Sequence, residues 1–487
     1  MSTTTTSPGP TVRAAALTLC VVLAGVVLVA MSISGTAVAL SSIGNDLGTA
    51  GSPLNWVVAG YNLAFAAMTL VAGSAADRIG RRRVFVVAAT VFAVGFLLTA
   101  VGRSIVVVDA ARIVSGAGGA GIMAAGGALL ASAYEGVARH RAFALMGTMA
   151  GVGIAIGPTL SGLLVTAVGW RGSFAVFAAA GLLIAGTAIR GHESRSPDGS
   201  TDWLGSLLFV AALSVLMYAV LEAPGAGWGS PRIVSAFVVA LLALSAFAIV
   251  QRRSKSPVLA PALMANRRFL GWSLATLTTS IGFLGVLVFL PTYLQAAAGL
   301  SPAAAGLAML LLTAPVLLVP MIAVGLVNRG IPARTVILIA LASVVCGNLS
   351  LTVLRPGNTV AVVAVPLLLI GIGMGASFGI TDGQAMSLVP AAAVGTAAGF
   401  LNTLRGAAEA LVIAGFSASL LGLLGTKLDA GRTQAAAVSS GRLSEQAAAE
   451  LDAFTWSWQV TQLGISAVCL ILSVAVAALI LRSRPSS

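Results

Sequence analysis

Charge is what this sequence has least of: 8% of its 487 residues are Asp, Glu, Lys or Arg, against about a quarter in an ordinary water-soluble chain. Histidine occurs twice and cysteine three times, with Cys20, Cys346 and Cys469 each alone in an apolar segment. That pattern gives neither a disulfide framework nor a metal site. A phosphate loop ending in Gly-Lys-Ser/Thr is missing, which excludes nucleotide-driven pumping by this chain, and no Ser/Lys dyad stands in a supporting context. The expectation is a protein that is not an enzyme and carries no cofactor. What fills the space is apolar: 58% of residues are hydrophobic and the mean hydropathy is +1.03. Such a chain belongs in a bilayer, where each helical crossing takes roughly 20 apolar residues.

Apolar windows of that length fall near 15–38, 53–75, 84–102, 106–132, 142–167 and 172–190. After a polar break they resume at 203–221 and 232–250, and after a basic stretch at 269–294, 303–327, 333–354, 359–381, 397–422 and 457–481. The expected architecture is an all-α integral membrane protein with fourteen crossings: a tail (1–14), a six-helix bundle (15–190), a linker with two extra helices (191–268), a second six-helix bundle (269–481) and a short tail (482–487). The outer loop from about 426 to 456 is expected to form a short helix over its face of the protein.

The net charge of +13 reads as topology rather than nucleic-acid binding. With an even number of crossings, 18 Lys and Arg fall on the side of the termini and 7 on the other, with Arg112 and Arg405 inside spans. The excess of positive charge puts both termini in the cytoplasm. The Ala/Gly/Val/Arg-rich, Lys-poor composition fits a GC-rich bacterium, and the expected location is its inner (cell) membrane.

The densest charge lies in Gly73-Ser-Ala-Ala-Asp77-Arg78-Ile-Gly80-Arg81-Arg82-Arg83. This loop resembles the signature between helices 2 and 3 of the major facilitator superfamily, and Gly325 to Gly330 is a degenerate repeat of it in the second half. The resemblance implies two bundles related by a parallel repeat, with a substrate site between them near the midplane. It also implies a cytoplasmic latch formed by Gly73, Asp77, Arg78, Gly80 and Arg81. Gly73 would admit a partner helix, and Asp77 would meet a helix N-terminus or an arginine. Arg82 and Arg83 serve equally as topology anchors.

Arg112-Ile-Val-Ser115-Gly116 resembles the family's helix 4 motif, and an arginine inside a span is a functional candidate by default. The alternative is snorkelling to the interface, with Asp109 one turn away as its partner. Gly153, Gly157 and Pro158 form a small-residue stripe similar to the helix 5 motif of proton-driven exporters. Glycines there allow close packing, and Pro158 removes a backbone hydrogen bond. With Asn55 to Tyr61, Trp170-Arg171 and Phe289 to Gln295, these motifs resemble the fourteen-helix drug:proton antiporters.

One departure matters. Where many members carry an acid in helix 1, this chain has Ser32. Proton coupling must be sought at Arg112, Asp382, Arg405 and Glu409. Glu409 lies one turn after Arg405, so the two share a helix face, as a proton carrier or as a static ion pair. Ser32, Ser34, Thr36, Tyr61, Asn62, Gln295, Asn348 and Asn402 are the candidate lining of the substrate cavity, each also readable as a helix-packing hydrogen bond. The expectation is a monomeric exporter, driven by the proton gradient, of small amphiphiles such as antibiotics. The rivals are a facilitator importer or uniporter and a non-transporting membrane sensor.

Overall fold

The computed structural model describes residues 12–191, 193–194, 203–254, 266–357, 360–389, 394–428, 432–444 and 446–481. Helix ends are set by the few polar residues between apolar runs. Helix α4 (Ile105–Ala133) starts where Ser104 Oγ accepts from the Val107 amide at 3.4 Å. Helix α7 (Pro231–Arg253) is capped by Ser230, α8 (Arg267–Ala297) by Asn266, and α9 (Pro302–Ala308) by Ser301. Proline opens α7 and α9, where its missing N–H has no helical partner to lose. Gly80, at φ 126°, both ends α2 (Ser52–Ile79) and starts α3 (Arg81–Val101), a conformation other residues rarely adopt. Gly330, in the degenerate repeat of that loop, also has a positive φ, 96°.

The remaining helices are α1 (Val12–Leu47), α5 (Gly136–Ala188), α6 (Trp203–Ala226), α10 (Leu310–Asn328), α11 (Ala333–Ser350), α12 (Val360–Ser387), α13 (Val394–Lys427), α14 (Arg432–Ser439) and α15 (Ala447–Leu481). Among the described residues, 12 helices are long and apolar enough to cross a membrane, or 13 when α2, bent by 43° near residue 70, counts as one span. Two sequence windows, 142–167 and 172–190, share the 53-residue α5, which breaks its helical geometry at Gly169 (φ 73°, ψ 170°). The window near 303–327 forms one 27-residue span, Pro302–Asn328, in which Met309, between α9 and α10, keeps helical φ and ψ. The short helix expected on the 426–456 loop is α14.

Helices α1 to α5 pack into one bundle and α8 to α13 with α15 into another. The α6–α7 hairpin lies outside both, with α6 touching α2 of the first bundle and α13 of the second. Large apolar side chains such as Leu241, Leu242, Met321 and Ile471 are exposed around the outside. In water such a belt would be an aggregation surface; in a bilayer it is the lipid-facing coat.

Candidate functional site

The bundles meet along two lines. On one, α5 crosses α9 and α10: Thr159 Oγ1 donates to the Gly306 carbonyl at 3.0 Å, the Ala303 amide donates to Thr166 Oγ1 at 3.2 Å, and Thr313 Oγ1 donates to the Ala155 carbonyl at 2.7 Å. On the other, α2 crosses α13, with Asn55 Nδ2 bonded to Ser417 Oγ and Gly406 against Ala66, whose Cβ would stand 2.7 Å from a methyl group added there. Gln295 Nε2 adds a bond from α8 to the Val38 carbonyl of α1 at 3.3 Å, so this cavity candidate bridges the bundles. These contacts lie between the midplane and the end away from Asp77. Toward the Asp77 end, a Cβ on Gly147 or Gly325 would meet nothing within 4 Å, and one on Gly151 only Leu317 at 3.8 Å.

The Gly153–Pro158 stripe does two jobs. Its glycines receive α1: Gly157 lies directly against the Ser34 hydroxyl, and a Cβ on Gly153 would stand 2.6 Å from that of Ala30. Pro158 turns its carbonyl to Gly306 on α9. The same segment therefore holds a helix of its own bundle and one of the opposite bundle.

Arg112 is 1% exposed. Its Nε donates to the Val57 carbonyl at 3.0 Å, Nη2 to Thr36 Oγ1 at 3.2 Å and Nη1 to Ser115 Oγ at 3.4 Å. The guanidinium also sits 4.3 Å from the centroid of Tyr61 and 5.1 Å from that of Phe96. It does not snorkel, and Asp109 is not its ion-pair partner, because the α2 carbonyl and the aromatic faces compensate the charge inside the bundle. Ser32 Oγ and Tyr61 Oη share a hydrogen bond of 2.8 Å. Ser32 and Thr36 line a cavity of about 10 Å³ with Ser161, Ser173, Phe96 and Phe174, roughly the room of one water.

In the second bundle Arg405 pairs with Asp382 and not with Glu409. Arg405 Nη2 donates to both carboxylate oxygens of Asp382 on α12, at 3.0 and 3.2 Å, and stacks over Phe378 at 4.7 Å. Sharing a helix face allowed Arg405 to meet Glu409, but a bifurcated bond to a neighbouring helix satisfies the guanidinium better. Among the described residues Glu409 has no ion pair.

Other candidates move. Asn348 Nδ2 donates to the Gly282 and Val344 carbonyls at 3.1 and 2.9 Å inside the second bundle, and Tyr61 is fully buried under Arg112. Neither lines an open cavity, because each is consumed in packing its own bundle. The side chain of Asn402 lies outside the described residues. Asp77 accepts from Arg81 at 2.9 Å within its own loop, and Arg78 is exposed beside it. A Cβ on Gly73 would find its nearest neighbour, Ala124, at an ordinary 3.9 Å, so no close helix approach needs a glycine there in this arrangement.

A sequence profile described as Major Facilitator Superfamily matches residues 22–413. The chain belongs to this superfamily. It is 33% identical over 404 residues to the puromycin resistance protein pur8 of Streptomyces alboniger, covering 81% of this chain and 80% of that one. It is 32% identical over 372 residues to the multidrug resistance protein Stp of Mycobacterium tuberculosis, covering 76% and 69%. Its fold matches a bacterial homolog of the lysosomal transporter Spinster, solved inward-facing and unoccupied, with a TM-score of 0.66 at 15% identity over 98% of this chain and 100% of that one. This facilitator is thus a multi-pass membrane transporter, similar to drug-resistance and efflux proteins, and not an enzyme.

Two acids missed as structural parts emerge in the facilitator's frame. Glu193 Oε1 accepts from the Arg82 amide at 3.0 Å and Oε2 from the Arg83 amide at 3.3 Å. A carboxylate thus caps the N-terminus of α3. Glu222 accepts from Ser52 Oγ at 2.6 Å and Trp56 Nε1 at 3.1 Å, pinning the extra hairpin to the start of α2. A signal existed for Glu193: it is an acid in the polar break between two apolar windows, opposite a loop of arginines. Nothing local pointed to the partners of Glu222.

Proposed function

We propose that this facilitator is a proton-coupled exporter of small amphiphilic compounds, of antibiotic type, with fourteen crossings and both termini in the cytoplasm. The observation that carries the reading is the placement of Gly157 and Pro158 between α1 and α9, where the exporter-like segment sits in the gate between bundles. The similarity to resistance proteins supports the substrate class. At about 1.5 Å per residue, the 53 residues of α5 run far beyond a hydrocarbon core of about 30 Å; counting its two arms as separate crossings supports fourteen.

In this reading the seams are closed on the outer side and parted on the cytoplasmic side, ready to receive substrate from within. Transport alternates between this arrangement and one in which the Asp77 loop reaches the opposite bundle. Glu409 on α13 and the Arg405–Asp382 pair beside it are the coupling groups, and Arg112 organises the first bundle. No resident cofactor takes part, and the working unit is a monomer with a small molecule, protons and lipid as its partners.

The test is drug-dependent proton movement in inside-out vesicles, with puromycin as first probe and a panel of amphiphiles after it. Wild type is expected to exchange substrate for protons, and Glu409→Gln or Asp382→Asn to lose proton dependence. Substrate uptake with no response to an imposed pH gradient would instead identify a uniporter.

A further inference from the structure

The α2–α13 seam has a register fixed by two contacts. Asn55 meets Ser417 and Ala66 meets Gly406, so eleven residues on one helix run against eleven on the other in antiparallel sense. Three turns separate the contacts on each helix. Asn62 is one turn before Ala66 on the seam face of α2, and the register sets it opposite residues 409–411. Glu409 stands one turn after Gly406 on the same side of α13. Asn62 is 1% exposed, and its Oδ1 is buried with no hydrogen-bond partner. A buried carbonyl oxygen left alone is costly, and the register brings it a neighbour that can acquire a proton to donate.

We propose that Asn62 is the positioning residue that reads the protonation of Glu409 across this seam. When Glu409 is protonated, its O–H donates to Asn62 Oδ1 and ties α13 to α2. When the proton leaves to water on the open side, that bond is lost and the bundles are free to part. This rests on the reading of Glu409 as a coupling group and gives that group a partner in the opposite bundle.

Several other titratable groups on elements packed against α13 have hydrogen-bond or ion-pair partners of their own. Asp382 of α12 holds Arg405, Glu222 of α6 holds Ser52 and Trp56, and Tyr293 of α8 bonds Thr455. Glu450 of α15 accepts from Gln434 and Ser444. Tyr61 of α2 bonds Ser32 but also stands within electrostatic reach of Glu409, as does Arg405 one turn before it on α13.

The experiment is a pH titration of the purified full-length carrier by infrared spectroscopy of the protonated carboxyl stretch, which needs no substrate. Glu409→Gln is expected to remove one band. Asn62→Ala is expected to move that band to higher frequency and lower its midpoint by about one pH unit, because the protonated acid has lost its acceptor. Asn62→Ser, which keeps an acceptor, shifts it less and serves if the alanine variant does not fold. A band unchanged in position and midpoint in the Asn62 variants overturns the proposal. If Glu409→Gln removes no band, the proposal is overturned too. The coupling reading is judged separately, by proton dependence of Glu409→Gln in vesicles.

Discussion

Pro158 and Gly306 meet across the seam with no room for a methyl group between them: the carbonyl oxygen of Pro158 occupies the space where a Cβ on Gly306 would go. The relation is reciprocal, since the carbonyl of Pro302 lies in the same way against Gly162. Two proline carbonyls, one per bundle, each rest on a glycine of the other, and Thr159 and Thr166 tie the crossing with hydrogen bonds.

Gly306→Ala should therefore wedge α9 from α5. The expected result is a carrier of near-wild-type expression with at least a tenfold loss of efflux, about 1.4 kcal/mol or more against the closed arrangement. Greater reactivity of a cysteine placed at Thr159 toward an impermeant thiol reagent from outside checks it. Unchanged reactivity would mean the crossing is not the outer gate.

The Asn55–Ser417 contact offers a lock on the other seam. In the Asn55→Cys/Ser417→Cys carrier, oxidation should crosslink the bundles and stop transport, and reduction should restore it. Mass spectrometry of the peptide pair reports the bond. Free exchange with the crosslink in place would contradict a moving seam.

Arg405 and Asp382 form a pair between helices whose aspartate side chain is 42% exposed and whose arginine is 14% exposed. Solvent screening brings the expected coupling in a double-mutant cycle of Asp382→Asn and Arg405→Gln to about 1 kcal/mol. Thermal unfolding of the purified carrier measures it. Strictly additive effects would leave the bond without energetic weight.

Arg112 should not tolerate lysine. Its three hydrogen bonds fan out to Val57, Thr36 and Ser115, and its flat face lies on Tyr61, geometry that an ammonium cannot reproduce. Efflux by Arg112→Lys is expected to fall nearly as far as by Arg112→Ala. Full activity with lysine would reduce Arg112 to a simple positive charge.

Much of this was legible in the chain itself. The apolar windows, the loop around Asp77, the glycine stripe before Pro158 and the short helix within 426–456 were all readable, because helix crossing and tight turns are dictated locally. The windows blurred at Gly169, where one residue of positive φ interrupts an otherwise continuous helix. The site was less legible. Ser32 and Thr36, read as cavity lining, and Arg112, read as a coupling group, come together in the first bundle, whereas Asn348 and Tyr61 are used in packing.

What the sequence alone determined was membrane character, the placement of the helices and the loop and stripe that mark the superfamily, since hydrocarbon demands long apolar runs and leaves rare charges conspicuous. Only the tertiary structure decided which of those charges meet. Helical periodicity tells that Arg405 and Glu409 share a face, but the distance to Asp382 on another helix settles where the guanidinium binds. Likewise it is Glu193, 111 residues from Arg82, that caps α3. Partners distant in sequence are chosen by the packing of whole helices, and no local pattern encodes that choice.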